Sequence, residues 1–148
     1  MKIFWAIITI LFMFVGVDFS GRGVKLEEVW VRAAVEGAPT AVFLKIKNST
    51  GEVDNLLSAT SSVADSVTLV ETKSNNGVEE LGEVKALPVE SNQEVVLKPH
   101  GLFLELKGLR KALVIGDTIP VTLNFTKAGF IETKAHVEAA NATLYDNF

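Results

Sequence analysis

From residue 28 to residue 137 the chain is a succession of short runs rich in Val, Leu, Ile, Thr and Phe, interrupted by Gly, Pro, Asn or Asp. No stretch sustains the 3.6-residue spacing of a helix with one buried face, whereas several runs alternate apolar with polar residues. Val29-Trp30-Val31 opens the first strand. In the second, Val42, Leu44 and Ile46 alternate with Phe43, Lys45 and Lys47, and the turn Asn48-Ser-Thr-Gly51 closes it. Further runs fall at 55–60, 67–72, 78–85, 94–97, 102–109, 118–126 and 130–137. Pro39, Pro88 and Pro99 lie between runs or at their ends, and Pro120 near the start of its run, where a missing amide donor is tolerated. Connections this short join antiparallel neighbours. About nine such strands predict an all-β Greek-key sandwich or barrel.

The 148 residues are enough for one domain with a real core, and a 48% hydrophobic content excludes a disordered chain. Part of that hydrophobicity is concentrated at the N-terminus. Lys2 precedes an uncharged apolar run over residues 3–17, and Asp18 ends it. A short basic segment followed by such a run is the layout of a secretory signal peptide, so residues 1–23 read as a leader. At 15 residues the run is shorter than the ~20 a helix needs to span the hydrocarbon core, which favours cleavage over retention as a membrane anchor. Either outcome places residues 24–138, the domain proper, in the periplasm or cell envelope. The tail, 139–148, lacks a strand pattern and reads as a frayed end, with Tyr145 and Phe148 able to fold back.

The exported part carries 12 basic and 17 acidic residues, because the leader removes Lys2, Arg22 and Asp18; nucleic acid is a poor partner for it. There is no cysteine, so neither a disulfide nor a thiol for lipid attachment is available. Both methionines, Met1 and Met13, lie in the leader, and the domain's only imidazoles are His100 and His136. No Ser-His-Asp order, phosphate-binding glycine loop or histidine cluster occurs, and the chain does not read as an enzyme.

Several separated blocks carry a more specific message: Trp30-Val-Arg-Ala-Ala34, Gly37-Ala-Pro-Thr-Ala41, Phe43-Leu-Lys-Ile-Lys-Asn48, Leu97-Lys-Pro-His-Gly-Leu102, Gly108-Leu-Arg-Lys-Ala-Leu113 and Gly116-Asp-Thr-Ile-Pro-Val-Thr-Leu-Asn-Phe125. In this order they resemble the PCu(A)C periplasmic copper chaperones, over about Val29 to Val137. The resemblance implies a cupredoxin-like Greek-key fold and kinship with copper delivery for cytochrome oxidase assembly.

It also implies where copper would sit. The family holds Cu(I) with a histidine, a methionine and a histidine-x-methionine pair. Those positions fall here at Val70, Leu81, Phe103 and Glu105, with residues 71–80 and 82–102 intervening as in the family. Cu(I) is soft and prefers imidazole and thioether donors; three of these side chains have no donor atom, and Glu105 offers only hard oxygens. The expectation is therefore a copper-chaperone scaffold without its site, and no bound cofactor.

Strand alternation puts Phe103, Glu105 and Lys107 on one face and Leu102, Leu104 and Leu106 on the other. If Val70, Leu81 and Phe103 converge as the ligands do in the family, they form an apolar patch rimmed by Glu71, Glu105 and Lys107, with the anatomy of a small protein-binding site. Extension of the core is the plainer reading. An envelope protein such as an oxidase assembly factor is the partner expected for the patch, with residues 3–17 as a possible tether. The competing expectation is a copper carrier using His100, His136 and carboxylates. His100 stands in the turn Lys98-Pro-His-Gly101 and reads as solvent-facing, and His136 as structural.

Overall fold

A computed structural model describes residues 23–143. The leader up to residue 22, Tyr145 and Phe148 lie outside the described residues. Ten strands follow one another: β1 (Val24–Arg32), β2 (Thr40–Asn48), β3 (Asp54–Thr60), β4 (Ala64–Asn75), β5 (Val78–Glu83), β6 (Leu87–Val89), β7 (Glu94–Leu97), β8 (Leu102–Leu109), β9 (Thr118–Phe125) and β10 (Gly129–Glu138). The neighbour order β4-β8-β2-β1-β10-β9-β3 closes on itself through a β3–β4 pairing, giving a seven-stranded barrel. Three short strands lie off this ring: β5 on β4, β6 on β3 and β7 on β2.

The all-β reading holds, with two differences in detail. One strand beyond the nine expected, β6, is three residues long and contains Pro88, too brief to register as alternation. One pair is parallel: β1 runs beside β10, with Trp30 opposite His136 and Val31 opposite Val137. Short loops fix the direction of sequential neighbours only, and β1 and β10 are the first and last strands among the described residues.

The barrel interior follows the period-two pattern. Val42, Leu44 and Ile46 of β2, Leu104 and Leu106 of β8, and Val121 and Leu123 of β9 are fully buried in one cluster. In β1 the pattern needs a correction that the backbone supplies. Glu27 faces Lys45 and Trp30 faces Phe43, so one extra residue is accommodated in β1 between these pairs, and Glu28 takes φ 50°. Such a bulge reverses side-chain parity. It lets Leu26 and Val29 both pack on the inner cluster while sending Trp30 to the outer surface.

Outside the barrel a second, smaller cluster forms around that tryptophan. Trp30 and Phe43 are buried, with ring centroids 4.5 Å apart, and Ala41, Val96, Phe103 and Ala142 pack against them. The tail corrects the frayed-end expectation over its described part. Arg32 lies over the Phe43 ring, 5.2 Å from its centroid, and donates from Nε and Nη2 to the Ala142 carbonyl at 3.2 and 3.0 Å. Both contacts use the planar guanidinium, one its face and the other its edge.

Candidate functional site

Each of the four positions implied by the resemblance sits on a strand whose register is defined. Val70 of β4 lies opposite Phe103 of β8 on one side and Glu83 of β5 on the other. Leu81 of β5 lies opposite Thr72, two residues beyond Val70, and Glu105 is opposite both Thr68 of β4 and Ala41 of β2. Directly paired residues share a face, as do residues two apart. Val70, Leu81, Phe103 and Glu105 therefore stand together on the outer face of the β5-β4-β8-β2 sheet. The face they share also carries the Trp30–Phe43 cluster.

Burial divides the four. Val70 is 5% exposed, Phe103 is half-buried with its ring 5.9 Å from Phe43, and Leu81 is 50% exposed. Thus the three apolar positions share a face, but only Leu81 and part of Phe103 are presented to solvent. The Glu105 side chain is 16% exposed and pairs with Lys107 at 3.3 Å, as the one-step spacing on that face allows. With Lys107 open to water, the pair adds little stability. Beside it a shallow pocket of about 340 Å³ is lined by Arg32, Pro39, Thr40, Ala41, Phe103 and Glu105.

One expected member is placed elsewhere. Glu71 lies opposite Leu102, whose side chain packs on the inner cluster, so it belongs to the other side of β4 and does not rim the patch. His100 meets neither Glu71 nor Glu105. It adopts φ 64° in the turn before β8, and its Nδ1 lies 3.3 Å from Glu79 Oε1 with both side chains mostly exposed. His136 is an exposed residue of β10, opposite Trp30 and Thr118. Among the described residues no group of three or more His, Cys, Asp or Glu side chains is gathered in a way that could hold a metal ion.

The donor chemistry does not fit Cu(I). Val70, Leu81 and Phe103 present carbon only, and Glu105 is a hard oxygen donor already paired with an ammonium group. What the face offers instead is an apolar, aromatic surface with a charged border. Sequence reasoning missed the residues that organise it: Trp30 and Phe43 beneath, Arg32 and Ala142 to one side. Trp30 was hidden by the bulge. Arg32 carried no signal beyond its place in Trp30-Val-Arg32.

Comparisons with known proteins agree with this fold. A family described as "Putative lipoprotein LpqE-like" matches residues 24–137. A curated relative from Leifsonia xyli subsp. xyli (strain CTCB07), "Putative lipoprotein Lxx21020", is 37% identical over 105 residues. That alignment spans 70% of this chain and 63% of the relative's length. Among solved structures, the copper-bound PCuAC domain from PmoF2 superposes with a TM-score of 0.65 at 27% identity, over 78% of this chain and 92% of that one. Cu(I)-bound DR1885 from Deinococcus radiodurans shares the fold with a TM-score of 0.63 at 21% identity, over 84% of this chain and 85% of its own. The resemblance to PCuAC domains is thereby borne out.

Proposed function

Because the chain belongs to the LpqE-like lipoprotein family, we propose that it is an exported protein of the cell envelope, a PCuAC-type accessory module that acts by binding another protein. In this reading it shares descent with copper delivery for cytochrome oxidase assembly but does not itself carry Cu(I), and it catalyses no reaction. The description of the Leifsonia xyli relative as a lipoprotein supports export and envelope association. Residues 3–17 supply either a cleaved leader or a tether.

One observation carries the proposal. Val70, Leu81, Phe103 and Glu105 stand on one outer face, as a ligand set must, and none is a soft donor. A chaperone's metal face meets its recipient during transfer, so loss of the donors leaves the docking surface as the retained asset. Leu81 and the accessible part of Phe103 form its apolar centre, bordered by Glu105 and Lys107.

Anaerobic Cu(I) titration against a competing chelator tests this. The protein is expected to show no tight one-to-one site. A variant carrying Val70→His, Leu81→Met, Phe103→His and Glu105→Met is expected to gain one. Tight binding by the unaltered protein that disappears with His100→Ala or His136→Ala would instead establish a carrier with a different ligand set. Failure of the fourfold variant to gain copper would show that these positions do not coincide with the family's site.

A further inference from the structure

Strand β5 is an end of the sheet: β4 occupies one of its edges, and among the described residues no strand pairs with the other. All its residues except Gly82 are well exposed. The direction of its backbone groups follows from two hydrogen bonds. Val84 N–H donates to the Leu69 carbonyl at 2.9 Å, and Thr72 N–H, opposite Leu81, points away from β5 to the Gly101 carbonyl at 3.0 Å. In an antiparallel ladder, residues alternate between facing their partner strand and facing away from it. Gly82 and Glu80 therefore bond to β4, whereas the N–H and C=O groups of Glu79, Leu81 and Glu83 point to the open edge.

The side chains of those same three residues share one face, because Glu79, Leu81 and Glu83 lie opposite Ser74, Thr72 and Val70. That face is the one bearing Val70 and Phe103. An incoming strand would thus find three outward backbone pairs, with acidic, apolar and acidic side chains in succession. Exposed edges are usually protected from such pairing by charge, and the charged side chains of these three residues have one sign, with the His100 ring beside Glu79. A second copy of β5 laid antiparallel about Leu81 would set Glu79 against Glu83 twice, which opposes self-pairing.

We propose that β5 is a strand-addition site for an extended protein segment of the pattern basic-x-apolar-x-basic. The apolar residue would sit opposite Leu81, and a Lys or Arg opposite Glu79 and Glu83. Main-chain hydrogen bonds would provide attachment and the alternating side chains selectivity. The inference names the binding mode and partner chemistry for the face described above and rests on that reading.

The test is fluorescence anisotropy with labelled peptides centred on Lys-Thr-Ile-Thr-Lys, on its Glu-for-Lys counterpart, and on a scrambled Lys-Lys-Thr-Thr-Ile. The first is expected to bind best, with affinity falling as salt rises. A Glu79→Lys/Glu83→Lys variant should bind it about tenfold more weakly and prefer the acidic peptide, since two cross-strand ion pairs are reversed. Leu81→Pro removes one outward N–H at a position that does not bond to β4, so it should lose peptide binding with an unchanged circular dichroism spectrum. Equal binding of the scrambled peptide, or full binding by a folded Leu81→Pro protein, overturns strand addition. Loss with Phe103→Ala but not with either β5 variant keeps the protein-binding face and discards the β5 edge. Loss with the β5 variants alone keeps the edge and removes Phe103 from the function.

Discussion

Replacing Phe103 by alanine tests the outer cluster directly. Truncating a fully buried phenylalanine costs about 3–5 kcal/mol through lost transfer energy and the cavity left behind. Phe103 is only half-buried, so about half of that applies, including a tilted ring contact with Phe43 at 5.9 Å that contributes about 0.5–1.5 kcal/mol. The expected loss is about 2 kcal/mol, or roughly 6–10 °C in melting temperature for a domain of this size. Urea unfolding followed by tryptophan fluorescence suits the measurement, because Trp30 lies in the same cluster. The midpoint should fall with the slope unchanged. A loss above about 4 kcal/mol would mean that Phe103 is sealed in the core and unavailable to a partner. A loss below about 0.5 kcal/mol would mean that the ring does not pack on Phe43, and the cluster as described would be refuted.

Other substitutions probe separate links. Asp54 is 3% exposed and accepts from the backbone N–H of Asn55, Lys127 and Ala128 at 2.8–2.9 Å, so Asp54→Ala should destabilise the fold by about 3 kcal/mol in denaturant titration and loosen the β9–β10 hairpin, seen as faster amide exchange at 127 and 128. Arg32→Ala removes both bonds to the Ala142 carbonyl and the contact with Phe43; a cost of about 1–2 kcal/mol and faster amide exchange over 139–143 are expected, and unchanged exchange would show that the tail is held by other contacts. Gly108 has φ +68°, and the Asp65 side chain occupies the space a β-carbon would take, so Gly108→Ala should cost at least about 2 kcal/mol by thermal melting.

Much of this protein follows from local pattern. The alternation in β2, β8 and β9 determined which side chains fill the barrel, because a strand's side-chain period is two whatever its neighbours are. The family resemblance implied Val70, Leu81, Phe103 and Glu105 as the ligand positions, and the absence of soft donors among them is a property of the residues alone. That absence is for this reason legible without coordinates.

Pairing across the chain was decided by tertiary structure. The parallel β1–β10 contact joins residues more than a hundred positions apart, and period-two alternation is blind to strand order. The bulge at Glu28 turned Trp30 outward, since one inserted residue inverts every face beyond it. The fold of the turn before β8 brought His100 beside Glu79, 21 residues away in sequence. Among the described residues tertiary pairing also left an acidic edge open at β5, which no linear pattern marks because an edge exists only when every other strand has found its neighbour.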